Sequence, residues 1–229
     1  MSFDLPESSG LPAASGLAGS AQPAEDCLLC PRLAAFRQDN RLLLPQGHNA
    51  PVPSFGGLDA ALLIVGLAPG LHGANRTGRP FTGDWAGDML YPTLIDYGFA
   101  NGAYAESADD GLSLLNCRIS NAVRCVPPQN KPTPAEIAAC RPFLIDEIAA
   151  MPNLRGILCL GRIAHESVVK TLGEKQKARP FGHGAAHEIG GLTLYDSYHC
   201  SRYNTNTGVL TAKMFHDVFA RIRQDLTAA

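Results

Sequence analysis

The sequence predicts a three-layer α/β/α sandwich around a central, mainly parallel four-stranded sheet. Two observations carry this prediction. Short, almost continuous apolar runs are typical of parallel strands that are buried on both faces. Helical patterns lie between these runs, and strands that alternate with helices indicate an α/β fold. The chain has 229 residues, of which 45% are hydrophobic, so one domain with a full core is expected.

Three apolar runs are predicted to be central strands, at residues 61–67, 156–160 and 192–198. A fourth strand is predicted around residues 112–117, where the apolar pattern is weaker. Because the runs are short and are separated by helical patterns, we expect the strands to pair in parallel.

The clearest helix signal follows Thr133. The sequence Thr-Pro-Ala-Glu is a capping box in which Thr133 is the N-cap, Pro134 is the first helical residue and Glu136 reaches back. This helix is expected to end near Met151. Two further helices are predicted at residues 162–172 and 211–226, the second with its apolar residues on one face.

The N-terminal segment differs in composition from the rest of the chain. Residues 1–25 are rich in Ser, Gly, Ala and Pro, and are predicted to be a flexible tail before a single domain at 26–229. The segment has neither the basic region nor the apolar region of a secretory signal. No run approaches the roughly 18 apolar residues of a membrane span. A cytoplasmic location is therefore expected.

The overall charge gives no general attraction for nucleic acid. The net charge is −2 and the pI is about 6.4, so a nucleic-acid partner would need a local basic face. Residues 170–179 are one candidate, and ordinary solvated surface is the alternative for each candidate. The other candidate face consists of Arg76, Arg79, Arg118, Arg124 and Lys131.

Four of the seven cysteines have a spacing that suits metal binding. Cys27 and Cys30 form a C-x-x-C, and a proline-rich loop and the start of a helix separate Cys125 from Cys140. Four thiolates can hold zinc or an iron–sulfur cluster, and spacing alone does not choose between them. A C-x-x-C accompanied by two unrelated cysteines is the alternative.

A glycine-rich loop, GLAPGLHGANRTGRPFTGD at residues 66–84, leaves the first predicted strand. The segment YHCSRYN, at residues 198–204, leaves the last one. Ligands in α/β folds bind beyond the carboxyl ends of the strands, so both segments should border one cleft. The loop contains neither G-K-[ST] nor G-x-G-x-x-G, so a nucleotide cofactor is not expected.

These segments, together with NAVRCVPPQNKPTPAEIAAC at 121–140, resemble the iron–sulfur uracil-DNA glycosylases, and most closely their type-b branch, family 5. The resemblance covers about residues 27–226. It implies a DNA repair enzyme that hydrolyses the N-glycosidic bond of uracil, or of another deaminated or damaged base flipped out of DNA. It also implies a structural [4Fe-4S] cluster on Cys27, Cys30, Cys125 and Cys140.

The resemblance assigns several residues to a base pocket. Phe81 is expected to stack on the flipped base, while Gly66 and Ala68 belong to the loop whose backbone approaches it. Asn121 is expected to read the edge of the base, because an amide offers both a donor and an acceptor. Asn116 is a nearby rival for this role.

The resemblance also implies a catalytic histidine, His199, which would donate a hydrogen bond to the base oxygen O2 as charge develops there. In the family motif a proline usually follows, and here Cys200 replaces it. Related families place an acid or an amide where this chain has Leu67 and Ala68. We therefore predict that Asp84 orients water or stabilises the sugar cation, with a plain helix N-cap as the alternative.

Four residues are predicted to contact the DNA, which a monomer is expected to bind: Arg76, Arg79, Ser201 and Arg202. Tyr203 and Arg202 are candidates for the minor groove or for the gap left by the flipped base. Three alternatives remain at this point. The first is a non-catalytic module that binds damaged DNA, which the missing acid motivates. The others are an electron-transfer protein and a zinc site in place of the cluster.

Overall fold

The structure is a computed structural model, and it describes residues 22–227. Its central sheet has five strands in the order β4-β1-β5-β7-β6. The first four pair in parallel, and β6 is an antiparallel edge strand. The strands are β1 (Leu62–Gly66), β4 (Cys117–Asn121), β5 (Gly156–Leu160), β6 (Ala186–Ile189) and β7 (Leu192–Ser197), while β2 (Ala100–Asn101) and β3 (Ser113–Leu114) form a separate pair.

The helices cover both faces of the sheet and confirm the predicted three layers. Leu62 and Ile64 of β1 face α3 and α7, whereas Leu63 and Val65 face α4 and α5. The alternation follows from the strand period of two. The helices are α1 (Pro31–Leu43), α2 (Ala74–Thr77), α3 (Trp85–Asp96), α4 (Pro134–Ala149), α5 (Arg162–Thr171), α6 (Arg202–Asn206) and α7 (Ala212–Thr227).

The capping box at the start of α4 is present as predicted. The Thr133 side chain accepts a hydrogen bond from the backbone N–H of Glu136, whose carboxylate accepts one from the backbone N–H of Thr133. Arg32 of α1 makes an ion pair with the same carboxylate at 2.7 Å. The helix start is therefore tied to α1.

Two sheet predictions need correction. The fourth central strand begins at Cys117 instead of ending there, since the polar segment Cys117–Asn121 is wholly buried. The antiparallel strand β6 was not predicted, because its sequence Ala-His-Glu-Ile is short and largely polar. Most of the predicted tail lies outside the described residues, but Gln22 accepts a hydrogen bond from Arg124 at 3.0 Å.

The candidate basic face of Arg76, Arg79, Arg118, Arg124 and Lys131 does not form one surface, because three of its arginines are buried. Arg118 and Arg124 are buried and share the carboxylate of Glu147, each at 2.6 Å. Ser120 donates a third hydrogen bond to that carboxylate at 2.7 Å. Buried charges require paired and hydrogen-bonded partners, and this group satisfies the requirement. It joins β4 to α4 below the end of the sheet.

Candidate active site

A cavity of about 400 Å³ lies beyond the carboxyl ends of β1, β4 and β7. The glycine-rich loop and the segment after β7 both line it, which confirms that they border one cleft. The cavity brings together most of the residues assigned from sequence: Ala68, Phe81, Asp84, Asn121, His199, Ser201 and Arg202.

Gly66 allows an aromatic ring and an amide to meet above the end of β1. Gly66 pairs in register with Asn121, and a Cβ atom on Gly66 would overlap both the Asn121 side-chain oxygen and the Phe81 ring. Asn121 and Phe81 are both nearly buried, and both line the cavity. A glycine at this position is therefore required for this arrangement, because any side chain would push the two groups apart.

The backbone of Phe81 adopts an unfavourable conformation. Its φ is +52°, in the left-handed region that non-glycine residues seldom occupy. Such strain persists only where the surroundings enforce it, and it concentrates at functional sites. The Phe81 ring stacks on the imidazole of His199, with centroids 5.9 Å apart and planes at 29°.

Arg79 helps to hold the loop in the conformation that Phe81 adopts. It is buried, so the prediction that it contacts DNA is wrong. Its side chain is 4% exposed and makes two 2.7 Å bonds to the Asp110 carboxylate. A further bond of 2.7 Å joins it to Thr82, directly after Phe81. The guanidinium also lies 5.0 Å from the centroid of the Tyr91 ring. Arg79 thus anchors the loop from inside the protein.

His199 is an uncharged hydrogen-bonding group at neutral pH. Burial lowers its pKa to about 4. Its buried Nδ1 has no hydrogen-bond partner within the described chain, and its backbone oxygen accepts a hydrogen bond from the Asn204 amide at 2.8 Å. Cys200, which replaces the usual proline, is fully buried and donates to the Ala86 carbonyl at 3.5 Å. These contacts hold the loop against the start of α3.

Asp84 caps a helix and also lines the cavity. It is the N-cap of α3, and its carboxylate accepts a hydrogen bond from the backbone N–H of Ala86 at 3.2 Å. The carboxylate also lines the cavity and packs where Gly70 and Gly73 have no side chain. Burial raises the pKa of this carboxyl group above its usual value.

The rival asparagine has a structural role. The Asn116 side chain accepts a hydrogen bond of 2.7 Å from the backbone N–H of Ala61, just before β1. Among the cavity residues that sequence reasoning missed, Trp85 and Asn130 have side chains that can stack or form hydrogen bonds. Trp85 directly follows the predicted cap Asp84, and Asn130 lies in the proline-rich loop between Cys125 and Cys140. Their proximity to these motifs in the sequence was the only signal that could have assigned them to the site.

Of the remaining predicted DNA contacts, Ser201 and Arg202 lie at the cavity and Arg76 does not. Ser201 lines the cavity and caps α6, where its hydroxyl accepts from the Asn204 N–H at 3.4 Å. Arg202 is exposed at the cavity edge. Arg76 is also exposed, and its Nε donates to the His72 carbonyl at 2.8 Å. Arg76 is not part of the cavity lining.

The four predicted ligand cysteines meet in a second, apolar pocket. All four line this pocket, whose walls include Leu33 and Phe143. Two of the sulfur atoms face positive or donor groups. Arg37 approaches Cys125 Sγ at 3.6 Å, and the Arg124 N–H lies 3.4 Å from Cys140 Sγ. No group of three or more potential ligand side chains is placed for a metal ion within residues 22–227.

The cysteine pocket suits a metal or cluster that is held by several cysteine thiolates and shielded from water. Arg37 and the Arg124 N–H can stabilise negative sulfur, as hydrogen bonds to cluster sulfurs do. The small apolar group that contains Leu33, Val123 and Cys140 also contacts Ala68 of the cavity loop. The pocket therefore supports one wall of the candidate active site.

Comparison with known proteins agrees with this geometry. The family model described as the Uracil DNA glycosylase superfamily matches residues 53–226. A protein of Thermus thermophilus named Type-5 uracil-DNA glycosylase is 45% identical over 204 residues, covering 86% of this chain and 93% of its own length. One from Pyrobaculum aerophilum with the same name is 39% identical, covering 87% and 89%. A Type-4 uracil-DNA glycosylase of Archaeoglobus fulgidus is 34% identical over 51% of each chain.

Proposed function

The chain belongs to the uracil-DNA glycosylase superfamily, and we propose from this premise that it excises uracil from DNA and leaves an abasic site. The observation that best supports the proposal is a single cavity that holds Phe81, Asn121 and His199 together. The relatives that cover most of the chain are named for the same activity. Other deaminated or damaged bases are proposed as further substrates.

The cavity offers the groups that cleavage of an N-glycosidic bond requires. A base inside a duplex must be flipped to be reached, and the Phe81 ring presents an apolar face on which it can stack. The Asn121 amide can pair with the donor and acceptor on the edge of uracil. Charge then develops on the departing base, and a positioned hydrogen-bond donor stabilises it. His199 would supply that donor.

We propose that Asp84 acts on the sugar side of the bond. A carboxylate near an oxocarbenium-like sugar favours the cation and can orient the attacking water. The carboxylate of Asp84 lines the same cavity as His199, although it comes from a different position than the acid or amide of related families. Its presence there argues against a module that binds damage without removing it.

Asp84→Asn is expected to reduce the single-turnover excision rate at least tenfold, with the urea midpoint within experimental error of wild type. Asparagine caps helices about as well as aspartate, so only the negative charge is lost. Asp84→Ala should reduce the rate similarly, and should also lower stability by about 1 kcal/mol through loss of the cap. A wild-type rate in Asp84→Asn would restrict this residue to its capping role.

The direct test of the function uses a labelled duplex with one uracil opposite guanine, incubated in a metal chelator and then treated with alkali. Cleavage at the uracil alone establishes base excision that needs no free divalent metal. A duplex with thymine in place of uracil is the matched control. Binding of the uracil duplex without cleavage would instead establish the damage-binding module.

We propose that Cys27, Cys30, Cys125 and Cys140 hold a structural [4Fe-4S] cluster. The cluster would crosslink the start of α1, the loop after β4 and α4. The support is that these residues share one apolar pocket with donor groups around the sulfurs. Hydrolysis of a glycosidic bond requires no electron transfer, so no catalytic step is assigned to the cluster. Zinc is the alternative occupant.

Protein purified without oxygen is expected to be brown and to contain about four irons per chain. Cys140→Ser should remove the visible absorption and lower the thermal midpoint, because the crosslink between three segments is lost. Cys159→Ser is the matched control, since Cys159 is buried in β5 among apolar residues and should keep the colour. Colourless wild-type protein with one zinc per chain would establish zinc instead.

None of the helices within residues 22–227 has the length and apolar content to cross a membrane. Monomeric action and a cytoplasmic location stay predictions. The DNA contacts of Ser201 and Arg202 are proposals of the same kind, supported by their positions in the cavity lining. A DNA contact of Arg76 is also a proposal, supported by the exposure of its side chain.

A further inference from the structure

Trp85 has a position that the reaction described so far does not use. It is the single tryptophan of the chain and the first residue of α3. It lines the cavity and is 43% exposed, whereas the Phe81 ring inside the cavity is 7% exposed. A large aromatic side chain at the mouth of a ligand cavity requires an explanation, because such residues are usually mostly buried.

Two contacts hold the Trp85 ring in one orientation. The indole Nε1–H donates to the Thr205 hydroxyl oxygen at 2.8 Å. The guanidinium of Arg202 lies 5.4 Å from the ring centroid, within the range of a cation–π contact. Both partners belong to α6, directly after the segment that carries His199. A ring that is already fixed loses little conformational entropy when a ligand binds to it.

The indole also borders a second concavity. This groove has a volume of about 260 Å³, and its walls include Met89, Pro92 and Thr205. Trp85 lines both the active-site cavity and this groove. The ring therefore separates the space proposed for the flipped base from a shallow groove with apolar walls.

We propose that Trp85 and Arg202 form a stacking platform for the base adjacent to the flipped nucleotide. This inference rests on the proposed function. Flipping one nucleotide out of a duplex removes a stacking neighbour from the next base, and this loss is part of the energy that flipping requires. An immobilised indole at the cavity mouth replaces that neighbour, and every base has a face that can stack on it.

The alternative positions for the ring fit less well. The flipped base would occupy the cavity interior against Phe81, which is nearly buried, so the exposed ring contacts what remains outside. Arg202 adds a positive charge beside the ring, where the phosphates that flank the flipped nucleotide must pass. The platform therefore acts on DNA binding and not on the departing base.

The fluorescence of Trp85 provides a direct test, because no other tryptophan contributes to the signal. The probe is a duplex that contains a 2′-fluorinated deoxyuridine, which resists cleavage. Its binding should quench the fluorescence, and the quenching should saturate together with the anisotropy of a labelled copy of the duplex. A duplex with thymine at that position should quench less at equal occupancy.

Substitutions should then distinguish the contribution of the Trp85 ring from that of the hydrogen bond that orients it. Trp85→Ala is expected to raise the Kd for the uncleavable duplex about tenfold or more, in line with the usual effect of removing a stacking side chain. Its KM should change more than its kcat. Trp85→Phe should retain most of the affinity. Thr205→Val keeps the ring but removes its hydrogen bond, and should give a smaller increase in Kd.

Leu42→Ala is the matched control, because Leu42 is an exposed apolar residue on α1 and is expected to leave the Kd unchanged. Unchanged fluorescence at saturating DNA, together with a wild-type Kd for Trp85→Ala, would overturn the platform. The excision assay tests the proposed function separately. Quenching without excision would refute the proposed function and leave Trp85 as a DNA contact only, whereas excision with unchanged fluorescence and a wild-type Kd for Trp85→Ala would refute the platform alone.

Discussion

Replacing His199 with alanine is expected to lower the single-turnover rate of uracil excision by about 10²–10³-fold, with little change in the affinity for DNA. The loss of one preorganised donor to a developing anion typically has an effect of this size. His199 lines the cavity, stacks on Phe81 and has a ring nitrogen without a partner inside the described chain. The measurement is excision with enzyme in excess over a uracil-containing duplex.

His199→Gln is the matched variant, because an amide N–H can still donate, and it should recover part of the rate. The pH dependence provides an independent test. Because the pKa of His199 is lowered to about 4, the imidazole is uncharged from pH 8 down through 6.5. The wild-type rate should therefore show no step near pH 6.5, the ordinary pKa of histidine. A rate that rises as the pH falls through 6.5 would mean that imidazolium is the donor.

Glu147→Gln is expected to lower the free energy of unfolding by about 3–5 kcal/mol, which is the usual effect of breaking a buried ion pair. The Glu147 carboxylate is fully buried and is the shared counter-charge of two buried arginines, Arg118 and Arg124, at 2.6 Å each. The amide would leave both positive charges without a counter-charge in the interior. Urea unfolding of protein purified without oxygen should show a lower midpoint with an unchanged slope.

An exposed ion pair provides the control for this prediction. Lys213 and Asp217 are one helical turn apart on α7, and their ammonium and carboxylate groups are 2.8 Å apart at the surface. Asp217→Asn should change the free energy of unfolding by less than about 1 kcal/mol, because solvent already screens the pair. Equal effects of the two substitutions would show that the arginines find other partners when Glu147 is neutral.

The elements that the sequence predicted well depend on local rules. The capping box at Thr133 and the wholly apolar strand β1 are each specified within a few residues, so pattern alone finds them. The fourth strand was misplaced because its interior contains Arg118, Ser120 and Asn121. Arg118 and Ser120 can be buried because both donate hydrogen bonds to the Glu147 carboxylate on α4. No pattern within the strand reveals a partner so far along the chain.

The site residues also divide into those that the sequence identifies and those whose positions depend on distant partners. The resemblance assigned Phe81, Asn121 and His199, and the structure brings all three to one cavity. Arg79 was assigned to DNA because an arginine in a polar loop is usually exposed, but Asp110 neutralises it in the interior. Trp85 was missed because Thr205 and Arg202, which hold its ring, come from the far end of the chain.

The order of the strands also determines when the site can exist during folding. The cavity needs the ends of β1, β4 and β7, and Gly66 and His199 are separated by more than half the length of the chain. Contacts between such distant segments form late, because closing the intervening chain is entropically unfavourable. A nascent chain that has completed only β1 and β4 therefore has Asn121 of the cavity but not yet His199. Activity should thus appear together with the completed sheet, in one cooperative step.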